Sequence, residues 1–267
     1  MTSPTTGFPF LDDPHRDGAV VAMAHRGGAA HPDVQGLENT LFAFQAAVDL
    51  GYRYLETDVH ATRDGVLLAF HDERLDRVTD AVGRIWELVH ADVAPARVGG
   101  REPIPLLEDL LEAFPGIRFN IDLKSPGAVE PLARLVERTG AHDRVCVGSF
   151  TERSLRRFRS MVGRKVATIR GVPAVAAERF LPAGMTLGRA FRDPGAVYQV
   201  PVSHGRLTIL DERFVARARA VGRHVHAWTI DDPAEMTRLL DLGVDGLITD
   251  RPDLLREVLQ QRGQWWG

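Results

Sequence analysis

Eight short apolar runs recur along this chain, centred near residues 22, 55, 121, 147, 167, 199, 227 and 248. Nearly all are followed by a stretch with the apolar spacing of a helix. Strands that alternate with helices pair in parallel, because each crossover returns the chain to the same end of the sheet. Eight such units are enough to close a sheet on itself. The length of 267 residues suits one such barrel, which commonly takes about 250 residues. The predicted fold is therefore α/β, a TIM-type (β/α)8 barrel, with residues 1–267 as a single domain. An open doubly wound sheet is the competing arrangement, but no glycine-rich dinucleotide fingerprint follows the first run.

The predicted strands are 20–24, 52–59, 118–123, 145–149, 166–169, 197–201, 224–230 and 246–249. The predicted helices are 40–50, 106–114, 128–138, 152–162, 211–221, 233–242 and 252–261. Asn39 or Thr40 can cap the first of these helices, and Gly51 ends it. A short extra strand, 66–70, follows the turn at Arg63-Asp64-Gly65. Residues 72–103 are irregular and charged, and they read as an insertion after the second strand. Residues 172–195 give no assignment.

Composition removes several alternatives. Hydrophobic residues make up 44% and charged residues 26%, which excludes wholesale disorder. The net charge of −3 argues against a mainly electrostatic nucleic-acid binder. Cys146 is the only cysteine, so an internal disulfide and a cysteine-rich metal site are both excluded. Residues 1–14 lack the pattern of a secretory signal, and no apolar run approaches 18 residues, the minimum for a membrane-crossing helix. The expected location is the cytoplasm. Lysine occurs only at Lys124 and Lys165, so arginine carries nearly all the positive charge.

In an eight-fold barrel, chemistry collects where strands end and βα loops begin. The first strand ends in Ala24-His25-Arg26-Gly27-Gly28. A histidine and an arginine leave together there, followed by glycines that let the backbone turn sharply. Taken alone, such a histidine is as readily structural as catalytic. The second strand ends in Glu56-Thr57-Asp58, and alternation puts both carboxylates on one face. Like charges facing a barrel interior need protons, hydrogen bonds or a cation, and a divalent oxygen-binding metal supplies the last. The third strand presents Asp122 and Lys124 together. They read either as a structural ion pair or as a further metal ligand beside an anion contact. His71-Asp72 follows the short extra strand, near the same exits. Metal, cations and a histidine pair together suit phosphate-ester chemistry. Glu38 opens the first helix and either belongs to its cap or orients a site group. Trp228, by itself, reads as core. His60 and His204 stay unsettled, and the remaining histidines read as surface or structural.

Together these segments resemble the glycerophosphodiester phosphodiesterase family. The matching stretches are Ala24-His25-Arg26-Gly27-Gly28, Leu37-Glu38-Asn39-Thr40, Glu56-Thr57-Asp58-Val59, Thr62-Arg63-Asp64-Gly65, His71 to Arg77, Trp228-Thr229, and Gly243 to Pro252. The resemblance implies a TIM-type barrel with a small insertion after the second strand. It implies metal-dependent hydrolysis of glycerophosphodiesters to glycerol 3-phosphate and an alcohol. His25 and His71 would be the catalytic pair, and Glu56 and Asp58 would hold the metal, Mg²⁺ or Ca²⁺. Arg26 and Lys124 would bind the phosphate, Trp228 would line the substrate pocket, and Glu38 is counted with the substrate-binding residues.

One position departs from the pattern. The family usually has Glu-Leu-Lys where this chain has Asp122-Leu123-Lys124, one methylene shorter. Asp122 remains the candidate third ligand, because similar barrels among sphingomyelinase D-like toxins carry Asp-x-Lys there. Two other functions stay open: a related enzyme acting on lysophospholipids or other glycerol phosphodiesters, and a non-catalytic binding barrel. The Trp265-Trp266 end is expected to fold back onto the barrel.

Overall fold

The computed structural model describes residues 3–180 and 194–267. Eight strands form the barrel: β1 (Val21–His25), β2 (Tyr54–Ala61), β3 (Arg118–Leu123), β4 (Val145–Gly148), β5 (Ala167–Thr168), β6 (Val197–Val200), β7 (His224–Ala227) and β8 (Gly246–Thr249). They pair in parallel in the order β5-β4-β3-β2-β1-β8-β7-β6. The circle closes where Ile169 pairs with Val197 and the Arg170 N–H donates to the Val197 carbonyl at 2.8 Å. All eight predicted runs are barrel strands.

Among the described residues, nine helices of seven or more residues follow in chain order: α1 (Pro9–Arg16), α2 (Leu41–Asp49), α3 (Leu107–Ala113), α4 (Val129–Thr139), α5 (Glu152–Met161), α6 (Val172–Phe180), α7 (Glu212–Ala220), α8 (Pro233–Leu242) and α9 (Pro252–Gln261). Each barrel strand is thus followed by a helix, α2 to α9. Thr40 caps α2 by accepting from the Ala43 N–H. Helix α6 occupies the start of the stretch that gave no assignment, and residues 181–193 lie outside the described residues.

The sequence pattern did not reveal α1. It has only eight residues and carries Pro14 inside it, which argues against a helix. Pro9 fits because the first helical turn has no N–H partner to lose.

Strand alternation sorts the core into two layers. Ala22, Ala24, Leu55, Val59, Phe119, Ile121 and Tyr198 face outward and pack under the helices. Val21, Met23, Tyr54, Cys146, Val197 and Ile248 face inward, and Phe10 and Leu11 of α1 close the end of the barrel against them. Burying each Val, Leu, Ile, Phe or Met side chain among them contributes about 1.5–3 kcal/mol. The same inward register carries the chemistry. Val21 and Met23 lead to His25, and Tyr54 leads to Glu56 and Asp58. Midway up the barrel, Asn120 and Gln199 exchange amide hydrogen bonds of 3.2 and 2.8 Å.

The charged stretch after β2 is ordered around a small core of its own. Leu67–Ala69 runs antiparallel to the end of β2. Two 3-10 turns, a four-residue helix at His90–Val93 and a hairpin joining Arg97–Val98 to Glu102–Pro103 follow. Leu68, Phe70, Leu75, Ile85 and Val93 bury together beneath them. The expected insertion is therefore a packed subunit of the barrel. The chain end folds back as predicted: Trp265 packs edge-on against Tyr52 at 5.0 Å, and Trp266 lies 5.9 Å from Tyr54. Among the described residues, no helix is long and apolar enough to cross a membrane.

A histidine cluster sits at the α1 end of the barrel. His15 meets His224 edge-on at 4.7 Å, and His224 lies 6.3 Å from His226. Burial, then the neighbouring His224, holds His15 down to about 4, with Asp245 and Asp12 opposing weakly. Burial, then His224 and His15, holds His226 well below its usual value. Both groups take up protons more readily when unfolded. Stability is therefore full above about pH 6.5 and falls as the pH drops toward 4, by at most about 1.4 kcal/mol per pH unit for each group. Thermal unfolding from pH 7.5 to 4.5 checks this. His15→Gln should flatten the slope, and an unchanged slope would remove the cluster as its cause.

Candidate active site

The opposite end of the barrel opens into a cavity of about 240 Å³. His25, Arg26, Glu56, Asp58, His71, Asp122, Lys124 and Trp228 all line it. These residues come from segments up to two hundred positions apart. They converge because each is inward-facing at a strand end or stands on the loop beyond it.

His25 ends β1, and its Nδ1 lies 2.7 Å from the Asp250 carboxylate. Its Nε2 lies 3.8 Å from Glu56. Burial alone would lower the basicity of this ring. Glu56, together with Asp250, more than offsets that and raises it. His71 is held in the same manner, with Nδ1 at 2.6 Å from Asp72. Asp72 is drawn down to about 2, against the effect of its burial, by Arg77 and His71. Both rings therefore have one nitrogen fixed by a carboxylate and the ring edge turned to the cavity.

The turn after β1 places Arg26. Its backbone is left-handed (φ 51°), as is that of Asn39 (φ 58°). Such a conformation costs a non-glycine residue about 1–3 kcal/mol unless the surroundings hold it. Here the Arg26 N–H donates to the Glu56 carbonyl at 3.0 Å, and the Asn39 N–H donates to the Arg26 carbonyl at 2.9 Å. Gly27 has φ +83°, and a Cβ there would come 2.8 Å from the Ala43 backbone. Only glycine lets this loop lie directly on α2.

Arg26 Nε stands 3.1 Å from Asp58, and its Nη1 stands 3.1 Å from Glu38. Glu38 also accepts from Arg77 at 2.6 Å. Glu38 thus braces two arginines, contacts neither site histidine, and does not itself line the cavity.

The carboxylates are crowded. Asp58 is 1% exposed and Glu56 is 5% exposed. Lys124 Nζ lies 2.9 Å from Asp58 and 2.7 Å from Asp122, so the Asp–Lys ion pair left open by the sequence is present. Asn39 adds a side-chain hydrogen bond to Asp58 at 3.1 Å, and Thr57 in turn holds Asn39 at 2.8 Å. Burial raises Asp58, but Lys124 and then Arg26 pull it below the usual carboxylate range. Glu56 is pushed the other way, by burial and by the Asp58 charge.

Glu56 therefore lacks a full counter-charge while facing two other carboxylates. Three oxygen donors and this missing positive charge fit a hard divalent cation. Glu56, Asp58 and Asp122 are the residues that would hold it. In this structure the Lys124 ammonium stands between two of the three, and among the described residues no group of three or more histidine, cysteine or carboxylate side chains is arranged so that it could hold a metal ion.

Trp228 lines the cavity and meets the exposed Phe150 edge-on at 6.3 Å, so it is wall rather than buried core. His60 is buried, and its Nε2 donates to the His71 carbonyl at 3.1 Å, which steadies the His71 loop. His204 is exposed on the Ser203–His204 strand and takes no part.

Sequence patterning assigns no role to Asp72, Asp250 or Arg77, and Asn39, a candidate helix cap by sequence, bonds Asp58 instead while Thr40 caps the helix. Asp72 adjoins His71 in sequence, and Asp250 continues the inward register of Gly246 and Ile248. Both were findable by their signals. Arg77 and Asn39 act through loop geometry that no spacing rule reveals.

A closed barrel whose mouth gathers a cation pair, three carboxylates and two carboxylate-backed histidines suits phosphate-ester chemistry. Comparison with known proteins agrees. The sequence model of the Glycerophosphoryl diester phosphodiesterase family matches residues 25–254, and the chain belongs to that family. A Mycobacterium tuberculosis protein named "Probable glycerophosphodiester phosphodiesterase 2" is 44% identical over 255 residues, covering 94% of this chain and 95% of the relative. A solved structure from Silicibacter pomeroyi, assigned as a glycerophosphoryl diester phosphodiesterase, superposes with a TM-score of 0.80. It shares 23% identity and covers 98% of this chain and 100% of its own. An Oleispira antarctica phosphodiesterase, solved in complex with the product sn-glycerol-3-phosphate, gives a TM-score of 0.76. It shares 23% identity and covers 91% of this chain and 97% of its own.

Proposed function

We propose that the protein hydrolyses glycerophosphodiesters to glycerol 3-phosphate and an alcohol, with a bound divalent cation and two histidines moving protons. The observation that carries this reading is the presence of both carboxylate-backed histidines in one cavity with Arg26, Lys124 and three carboxylates. The product bound to the Oleispira antarctica protein supports the substrate class.

Arg26 and Lys124 bind and orient the phosphodiester oxygens, and Trp228 borders the organic part of the substrate. One histidine takes the proton from the attacking oxygen, of water or of the substrate's own glycerol hydroxyl, as that oxygen bonds to phosphorus; in the second case water then opens the cyclic phosphate to glycerol 3-phosphate. The other gives a proton to the alcohol oxygen as its bond to phosphorus breaks. Asp250 and Asp72 hold the two rings in the required orientation. Mg²⁺ or Ca²⁺ on Glu56, Asp58 and Asp122 would add Lewis-acid stabilisation of the charge on the phosphoryl oxygens. Closing that set of ligands would require the Lys124 ammonium to leave the carboxylates, which frees it for the phosphate.

A panel of glycerophosphodiesters and a lysophospholipid, read by coupled detection of glycerol 3-phosphate, tests the reading. Turnover of at least one glycerophosphodiester is expected. Chelator should reduce it to background, and added Mg²⁺ or Ca²⁺ should restore it. Turnover that ignores chelator would remove the metal from the mechanism. No product from any member would overturn the function. The lysophospholipid arm is included because Phe150 and Val172, at 62% and 55% exposure, leave apolar surface at the cavity edge.

A further inference from the structure

We infer that Arg170 is a second anion-recognition point in this cavity, for a carboxylate or phosphate carried by the alcohol half of the diester. The inference rests on the phosphodiesterase reading and specifies which substrates that site prefers.

Arg170 directly follows β5 and lines the cavity. In the circular strand order β5 stands four places from β1, across the mouth from His25 and Arg26. Arg26, which faces the reacting phosphodiester, therefore belongs to the other side of the barrel, and Lys124, at the end of β3, stands two strands from each.

Arg170 is a costly residue as it stands. It is 7% exposed, and its Nε is buried with no hydrogen-bond partner. Its guanidinium stacks over the Tyr198 ring at 5.1 Å. Among the described residues, no carboxylate is within ion-pair distance of it. The carboxylate that meets Tyr198 is already committed: Glu178 accepts from the Tyr198 hydroxyl at 2.8 Å and from Arg217 at 2.9 Å, and the Glu152 carboxylate beside Gly171 is held by Arg159. Arg144 shows how this fold normally satisfies a half-buried arginine, through hydrogen bonds to the carbonyls of Leu111, Phe114 and Ile117. Among the described residues, no carbonyl hydrogen bond to the Arg170 guanidinium takes that place.

A buried cation without a counter-ion is unfavourable, and it gains most from an anion that arrives with a ligand. The surroundings strengthen the effect. Phe150, Ile169, Val172 and Val175 line the same cavity, and their low polarity leaves an ion pair there poorly screened. Stacking on Tyr198 holds the guanidinium plane in place before the ligand binds. A diester held by Arg26 and Lys124 would extend its alcohol portion across the mouth toward this group.

The test compares three substrates with the metal-loaded full chain. They are glycerophosphoglycerol, the same molecule bearing a phosphate on its distal hydroxyl, and glycerophosphoserine. Wild type should favour one of the two anion-bearing substrates over glycerophosphoglycerol in kcat/KM. Arg170→Gln should lower kcat/KM for that substrate by about 30-fold or more, with a loss at least tenfold smaller on glycerophosphoglycerol. Arg170→Lys should recover part of the difference. A response to the phosphate substrate alone, or to the serine substrate alone, identifies which anion is read. Equal losses on all three, or no wild-type preference, would overturn the inference and leave the phosphodiesterase reading intact. Failure of wild type to cleave any of the three would overturn the inference, and would overturn the phosphodiesterase reading as well if the wider glycerophosphodiester panel also gave no product.

Discussion

Replacing His25 by alanine is expected to lower kcat by about 10²–10⁴-fold, the usual contribution of a positioned general acid or base. The same loss is expected for His71→Ala. Each ring has its Nδ1 held by a carboxylate, Asp250 at 2.7 Å and Asp72 at 2.6 Å, which orients Nε2 for proton transfer. Neither ring is a packing element of the hydrophobic core, so the midpoint of thermal unfolding should move by only a few degrees. Asp250→Asn and Asp72→Asn should give smaller losses in kcat, since they disturb ring orientation but leave the transferring nitrogen in place. Single-turnover rates and melting curves on the same preparations separate chemistry from folding. Near-wild-type turnover in either alanine variant would remove that histidine from the mechanism.

Lys124→Met should damage both stability and activity. The ammonium bridges Asp58 and Asp122 at 2.9 and 2.7 Å, and Asp58 is almost wholly buried. Removing one partner of a buried charge pair costs about 3–5 kcal/mol. Arg26 still stands 3.1 Å from Asp58, which places the loss at the lower end, about 3 kcal/mol or several degrees of unfolding midpoint. The kcat/KM for a glycerophosphodiester should fall by more than tenfold, because in the proposed mechanism the phosphate loses one of its two cations. Lys124→Arg should not restore full activity. Its planar fork cannot occupy the point between two carboxylates that a compact ammonium fills. A variant that keeps both its unfolding midpoint and its kcat/KM would show Lys124 to be a bystander.

Much of the site was legible one strand at a time. His25, Glu56, Asp58, Asp122 and Lys124 were readable because period-two alternation assigns each to a face, and strand ends in a barrel share one mouth. Trp228 shows where that reasoning stops. By residue type it reads as core, and only its position at the exit of β7 turns it into cavity wall beside Phe150. Glu38 shows the same limit: its partners are Arg26 and Arg77 rather than a histidine. Loop conformation decides that, and loops carry no periodic signal. Helix α1 escaped for a related reason: its stability comes from packing Phe10 and Leu11 into the barrel end, not from local propensity.

Sequence alone determined the architecture of this protein, because strand and helix periodicity are local properties that eight repeats make unmistakable. It also determined which strand ends carry reactive side chains. Only the tertiary structure decided how those groups pair: Lys124 between two aspartates, Asp250 behind His25, and Arg170 buried with no counter-ion among the described residues. The physical reason is range. Hydrophobic alternation acts between neighbours in the chain, whereas charge pairing acts through space among groups that only a closed barrel brings together.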